Sequence, residues 1–400
     1  GAVTEAATGT TDTATADLSS SDTEGESMTW SCTDCTDAGL TQTLTDTYGS
    51  WVLTEATGVW VYTLNNADDD TQEIDGGDSP TETLVVVVTD ATGATDSVTV
   101  TITITGDDDA PTTSTPDTQT GTEDTMFTGY AVADFPFADV DGDDSALVSI
   151  TITVVESTGD LEKSTNGNSW SDVSANDVIL NANIQHLRLN PVADSITSVT
   201  FTYTVEDGTQ SSGTAVMTTS FANVNDAPDA SGASGSLAAV NEDTTAPAGD
   251  SIDDIISSES DADGTDINGV VICTYTSDSA KGVWAYTADE GSNWVDIATR
   301  SGTSACLGIE DDDSIRFVPT ANYAGAATAL SVILVDATQA ISTGTASYDA
   351  SSTGGSTAFS ADAVAISHTI TAVDDDPTIS IDDTTLPADN TVTNEDVAYV

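Results

Sequence analysis

The sequence predicts an all-β chain in which antiparallel β-sandwiches follow one another along the polypeptide. Three observations carry that expectation. Apolar β-branched residues alternate with hydroxyl residues at a period of two, most plainly from Ser97 to Thr105. Such alternation puts one strand face on a core and the other in water. Short turns rich in Asp and Gly separate these segments, as at Asp90-Ala91-Thr92-Gly93 and Glu206-Asp207-Gly208, which is the spacing of sandwich strands. The third observation is an acidic mark that recurs at domain-sized intervals, each time after a threonine-rich apolar segment and before a proline.

That mark reads Gly106-Asp107-Asp108-Asp109-Ala110-Pro111, then Asn223-Val224-Asn225-Asp226-Ala227-Pro228, then Val373-Asp374-Asp375-Asp376-Pro377. It divides the 400 residues into 1–110, 111–227 and 228–376, with 377–400 as the start of a fourth repeat or an exchanged strand. The length prior of about 100 to 200 residues per domain agrees. Strands are expected at Val148 to Val154, Val199 to Val205 and Ala363 to Ile370, and His186 falls in a strand-like segment. No segment of helical length shows a 3.6-residue period between caps.

Internal repeats reinforce the division. Each stretch opens with an acidic pair or its remnant: Thr4-Glu5, Glu123-Asp124, Glu242-Asp243 and Glu395-Asp396. A second acidic motif follows 16 to 19 residues later, as Asp22-Thr23-Glu24-Gly25, Asp139-Val140-Asp141-Gly142 and Asp261-Ala262-Asp263-Gly264. Gly58-Val59-Trp60-Val61-Tyr62 matches Gly282-Val283-Trp284-Ala285-Tyr286. Ser169-Trp170-Ser171-Asp172-Val173 matches Asn293-Trp294-Val295-Asp296-Ile297, and Leu187-Arg188-Leu189-Asn190-Pro191 matches Ile315-Arg316-Phe317-Val318-Pro319. Arg188 and Arg316 are therefore read as strand residues held by neighbouring carboxylates. Trp60 and Trp284, each in an alternating strand, are read as core.

Charge limits the function classes. The chain carries 68 acidic and 5 basic side chains, a formal net charge of -63. DNA, RNA and anionic membranes are excluded as direct partners, because phosphate recognition needs a basic footprint. Self-repulsion strains so acidic a fold. Divalent cations in the carboxylate clusters, or high salt that shortens the screening length, would relieve it. No apolar run reaches the ~18 to 20 residues of a membrane span, and the N-terminus has no signal-peptide pattern. The C-terminus stops inside a repeat, so the chain reads as a piece of a longer protein.

The four cysteines are Cys32, Cys35, Cys273 and Cys306. A four-cysteine zinc site would have to draw its pairs from separate domains. A redox role for Cys32-Thr33-Asp34-Cys35 is disfavoured by flanking acids, which raise a thiol pKa. Two local disulfides are the expectation, and they imply an oxidising compartment.

The quoted residues resemble repeats of large bacterial surface adhesins of the RTX type. Val3-Thr4-Glu5, Tyr48-Gly49, Trp60 to Ala67 and Val98 to Ile104 are similar to a VCBS repeat. Asp134-Phe135-Pro136-Phe137-Ala138-Asp139-Val140-Asp141-Gly142 and the Asn-Asp-Ala-Pro ending are similar to cadherin-like repeats. Gly282 to Tyr286, Asp289 to Trp294 and Arg316 to Pro319 resemble another adhesin repeat. The resemblance covers nearly the whole chain and implies tandem Ig-like sandwiches in an extended string, exported, with calcium at the joints. Two linkers carry Asp where the pattern has Asn, which keeps oxygen ligands and adds charge. Cysteines are unusual in such repeats.

Calcium takes six to eight oxygen ligands in irregular geometry. The candidate ligands are Asp107, Asp108, Asp109, Glu123, Asp124, Asp139, Asp141, Asn225, Asp226, Glu242, Asp243, Asp261, Asp263, Asp374, Asp375, Asp376 and Glu395. A sandwich gathers its loops at its two ends, so linker and loop carboxylates can converge there. Asp311-Asp312-Asp313 has no counterpart elsewhere and reads as a solvated turn. Nothing resembles a catalytic motif: His186 and His368 have no nucleophile partner, and paired carboxylates are uninformative among so many acids. The expectation is a non-enzymatic stalk segment at the cell surface, its partners being neighbouring repeats of the same chain. A filament, sheath or surface-layer subunit joined by strand addition, with copies of itself as partners, is the alternative. A carbohydrate-binding module using Trp60 or Trp284 is the third.

Overall fold

The computed structural model describes residues 1–6, 11–141, 146–264, 267–377 and 379. Residues 1–224 form one compact unit and 225–400 a second. Strands dominate both. Helical structure among the described residues is confined to the single turns Asp69–Gln72 and Ile252–Ile255 and the 3₁₀ segments Val132–Asp134 and Asn181–His186.

Within the first unit, two sheets close between residues 2 and 105. One runs in the order Ala2–Thr4, Thr95–Thr105, Thr81–Thr89, Thr29–Cys32; the other in the order Thr13–Asp17, Val59–Leu64, Gly49–Thr54, Thr41–Thr45, Thr36–Asp37. The alternation read at Ser97 to Thr105 lies within one strand, with Ile102 and Ile104 buried and Thr101 and Thr105 outside. The core joins Trp51, Trp60, Tyr62, Leu53, Leu84 and Ile104. Trp51 meets Tyr62 edge-on at 4.8 Å between ring centroids, a favoured aromatic geometry.

Between residues 119 and 222, a five-stranded sheet runs in the order Gln119–Thr122, Ala215–Ala222, Val199–Glu206, Ser149–Val154, Asp177–Leu180. Opposite it lie Ser171–Asp172, Asp160–Lys163 and Leu187–Asn190. Phe135, Phe201, Tyr203, Ile150 and Leu189 fill the space between. His186 ends a 3₁₀ turn rather than lying in a strand. The Asn-Ala-Asn run before it lacks β-branched residues, so local hydrogen bonding wins over extension.

The second unit contains a six-stranded sheet in the order Ile256–Ser257, Ser234–Ser236, Phe359–Ser367, Leu330–Val335, Gly269–Ile272, Leu307–Glu310. It packs on strands that include Gly282–Thr287 and Ser314–Pro319, around Trp284, Phe317, Ile252, Val270 and Leu334. A smaller core lies on the sheet's other face, made by Val271, Cys273, Cys306, Val335, Ile341, Ala350 and Phe359.

Both disulfides form as expected, Cys32–Cys35 and Cys273–Cys306. Trp60 and Trp284 are buried, so neither offers a ring face to a sugar. Arg188 sits 3.9 Å from the Trp170 ring centroid and donates to Glu162 at 2.6 Å. Arg316 lies 4.1 Å from the Trp294 centroid but donates to the Pro247 carbonyl at 3.3 Å. No ion pair to Arg316 forms among the described residues. The expected carboxylate partner therefore holds for Arg188 and not for Arg316, where the ring and a carbonyl hold the cation. The repeated Trp and Arg motifs are one structural unit.

Glu82 is a carboxylate within the first core. Its Oε1 accepts the Tyr48 N–H at 2.6 Å, and burial pushes its pKa above 4.5. A raised carboxylate pKa means the fold favours the protonated form. That stabilisation is present below the unfolded value and lost as pH rises through the folded one. Glu82→Gln keeps an acceptor for Tyr48 and removes the charge. The variant is expected to melt ~2–4 °C above wild type at neutral pH, about 1 kcal/mol. The gap should close as pH falls towards 4.5. Melting curves of both proteins against pH check this.

Candidate functional site

Each sandwich places a glutamate at the start of the chain's exit route by the same device. A short entering strand runs parallel to the last strand. Ala2–Thr4 pairs Thr103 to Thr105, Gln119–Thr122 pairs Thr219 to Ala222, and Val240–Asn241 pairs Ile370 to Thr371. The next residue continues the ladder: Glu5, Glu123 and Glu242 donate their N–H groups to the carbonyls of Thr105, Ala222 and Thr371 at 2.8, 3.1 and 2.9 Å. All three glutamates are buried. Their carboxylates accept the outgoing linker's N–H at Asp107, Val224 and Val373, at 3.1, 2.8 and 2.9 Å. This aligns the linkers. Asp108 corresponds to Asn225 and Asp374, and Asp109 to Asp226 and Asp375. Asp376 then takes the place of an alanine.

The first linker is the most completely built. Gly106 brings it against the turn that ends in Asp75, and a Cβ there would overlap the carbonyl oxygens of Ile74 and Asp75. Asp108 accepts the Gly76 N–H at 2.9 Å, and its carbonyl accepts Gln210. Asp109 donates its N–H to Asp141 at 2.7 Å, and Asp141 donates its own to Asp139 at 3.1 Å. Linker and loop residues thus meet here, each joined by a backbone N–H to a carboxylate of the other.

Electrostatics show the strain. Burial raises the pKa of Glu5, helped by the charges of Asp109 and Asp107. Burial, then Asp107 and Asp139, raises Asp109. Asp141 is pushed up to about 6, chiefly by burial, with Asp139, Asp109 and Asp75 adding repulsion. Beside this linker, the buried carboxylate oxygens Asp75 Oδ1, Asp139 Oδ2, Asp141 Oδ1 and Asp207 Oδ2 have no hydrogen-bond partner among the described residues. None of the five basic side chains takes part in the contacts above.

The second unit repeats the loop half of this arrangement. Asp226 donates its N–H to Asp263 at 2.9 Å, Asp263 donates to Asp261 at 2.9 Å, and Asn225 Nδ2 reaches Asp336 at 2.9 Å. Asp207 and Asp336 lie outside the predicted ligand set. Each accepts the N–H of a threonine two residues on, at 2.6 and 2.7 Å. The signal was legible as Asp90-Ala-Thr, Asp207-Gly-Thr and Asp336-Ala-Thr, each closing a strand. Glu5 and Asp75 were likewise absent from the ligand set.

Other candidates are placed differently. Asp124 and Asp243 adopt left-handed backbone (φ 56° and 65°) and accept the N–H groups of Asp194 and Asn322, each at 2.9 Å. They cap turns. Asp374, Asp375 and Asp376 are exposed. Glu395 and the predicted opening of a fourth repeat, apart from Pro377 and Ile379, lie outside the described residues. Asp311 to Asp313 form the expected turn, but Glu310 joins it: carboxylate oxygens of Glu310, Asp312 and Asp313 lie within 4.8 Å of one another.

No family model matches the sequence, and no curated protein matches it. Among solved structures, the chain is similar to protocadherin gamma B2 extracellular cadherin domains 1–5 (17% identity, 87% of this chain and 53% of that one, TM-score 0.44). It is also similar to mouse cadherin-23 EC22–24 (13% identity, 93% and 95%, TM-score 0.47). The chain spans about half the length of the protocadherin fragment. These likenesses are of fold and assign no ligand, partner or activity.

Proposed function

We propose that this chain is a non-catalytic stalk segment of a secreted or cell-surface adhesin, in which calcium at acidic linkers holds successive sandwiches in fixed relation. The sandwiches are assigned to 1–110, 111–227 and 228–376. The observation that carries the reading is the first linker, where Glu5, Asp75, Asp107, Asp109, Asp139 and Asp141 converge around buried oxygens that no donor among the described residues satisfies. A carboxylate taken from water without a partner is costly, and a divalent cation removes that cost. The donors are all oxygen, which suits calcium rather than zinc or copper. Glu5, Asp107, Asp109, Asp139 and Asp141 would hold the ion, with Asp75 beside them. Two disulfides support an oxidising compartment.

Small-angle X-ray scattering in calcium and in EGTA, at fixed ionic strength, tests it. The maximum dimension should shrink or blur when calcium is withdrawn. Superimposable profiles would mean that the carboxylates serve solubility alone.

A further inference from the structure

The entering segment of the second unit is held by two short parallel ladders with a gap between them. Ser234–Ser236 pairs Ile366 and Ser367, and Val240–Asn241 pairs Ile370 and Thr371. Leu237 adds its N–H to the Ser367 carbonyl at 2.9 Å, and Glu242 adds its own to the Thr371 carbonyl at 2.9 Å. Ala238 and Ala239, both exposed, cross the gap outside either ladder. The residue in the facing gap, between Phe359–Ser367 and Thr369–Thr371, is His368.

His368 is only 6% exposed. Its ring lies 5.9 Å from that of Phe317 and 6.2 Å from that of Trp284. Neither ring nitrogen has a hydrogen-bond partner among the described residues. Burial holds its pKa below 6.5, and the Leu237 backbone, close by but outside hydrogen-bonding geometry, offsets this in part. A cavity of about 250 Å³ opens beside the ring, walled by Leu237, Ala238, Ala239, Val240, Pro247 and Phe317. Arg316 and Asp250 also line it. Arg316 is taken up by the Trp294 ring and the Pro247 carbonyl, and Asp250 is exposed. Glu242 is committed to the Val373 N–H. Tyr286 and Tyr323 pack on the same core and stay neutral in acid. No carboxylate pairs with the ring among the described residues.

A neutral imidazole fits this place and an imidazolium does not, because a buried charge without a partner is costly. Tryptophan and phenylalanine close the core side of the ring. The way to water leads through the cavity, under a segment held by two-residue ladders and small side chains. We infer that protonation of His368 is an acid-operated release for residues 237–242, freeing Glu242 from the outgoing linker while the central strands of the unit stay folded. Linkage sets the direction. A released His368 takes up its proton near 6.5, the enclosed ring only at lower pH. The closed form therefore holds its full advantage above 6.5 and loses it as pH falls.

Hydrogen exchange of the full chain at about pH 7.5 and about pH 5, in EGTA and corrected for intrinsic rates, tests this. The amides of Leu237 and Glu242 should lose protection in acid severalfold, up to roughly thirtyfold, the ceiling set by a free histidine value of about 6.5. The amides of Gly269–Ile272 and Leu330–Val335 should keep theirs. His368→Leu, with His368→Gln as a second variant in case the first does not fold, should abolish the change. The chain has two histidines, so proton NMR follows the ring in wild type without any variant, and it should titrate below 6.5. Protection that is unchanged in acid, or lost equally in wild type and variant, overturns the inference. So does a loss spread over all strands, which would mean that the whole unit opens, or a ring that titrates at or above the free value.

Discussion

Asp141→Asn should change the stability of the first unit in opposite directions with and without calcium. Extracellular calcium modules bind at about 0.1–1 mM. One such site at a hundredfold excess adds about 2.7 kcal/mol, or ~5–10 °C for a unit of this size. Wild type should show that gain. The variant loses an anionic oxygen from the centre of the cluster, and its affinity should fall at least tenfold, cancelling about half of the gain or more. In EGTA the order should reverse. Asp141 is held up to about 6, mainly by burial, so its charged form is disfavoured in the apo fold at neutral pH. Asn carries no charge and should melt higher there by ~1–3 kcal/mol equivalent. The sign follows from linkage. A carboxyl raised from 3.8 contributes stability below its unfolded value and loses it as pH rises through about 6. Apo wild type should therefore gain more stability on acidification from neutral pH than the variant, which keeps only the smaller gains from Glu5, Asp109 and Glu82. Scanning calorimetry of both proteins, with calcium and with EGTA, reads all of this. A calcium-independent Asp141→Asn phenotype would remove the metal from the explanation.

Trp284→Ala is the second large effect, and it falls on the other unit. The indole is fully buried, packs edge-on to Phe317 at 5.3 Å, and donates Nε1–H to the Thr328 carbonyl at 2.8 Å. Truncation leaves a cavity and removes the hydrogen bond to the Thr328 carbonyl. Large-to-small aromatic changes of this kind cost about 3–5 kcal/mol, a loss of roughly 10 °C. Trp284→Phe should recover part of it, because the ring stays and only the hydrogen bond goes. Trp170→Ala, which removes a partly exposed ring from Arg188, should cost about 1 kcal/mol. Denaturant titration of the three variants ranks them. Equal losses for Trp284 and Trp170 would contradict the assignment of Trp284 to the core.

Much of this was legible in the chain because strand physics is local. Ser97 to Thr105 and Val199 to Val205 declare their period with no knowledge of their neighbours, and so do the tryptophans in alternating strands. The glutamate devices were half visible. Glu123 and Glu242 stand out as acidic pairs, whereas Glu5, followed by alanine, leaves only a remnant. Asp75 and Asp207 were missed for a different reason. Asp after a strand is the ordinary turn residue, and only the fold shows which turns lie beside a linker. His186 misled because an apolar alternation around it masked a polar run that folds locally. Arg316 misled because its twin Arg188 has Glu162 across the strand pair, and nothing equivalent pairs with Arg316.

The parallel pairing of entering and leaving strands also decides how each sandwich bears load. Because Ala2–Thr4 runs alongside Thr103 to Thr105 in the same direction, tension between the two ends of that sandwich pulls these strands past each other lengthwise. Their hydrogen bonds then resist together rather than opening one after another. Glu5 extends the resisting patch beyond the sheet by gripping the Asp107 N–H, so the outgoing linker shares the load. The same pairing with the same glutamate recurs at Gln119–Thr122 and Val240–Asn241. Each sandwich is thus stiff along the line on which the chain passes through it, and comparatively easy to peel open across that line.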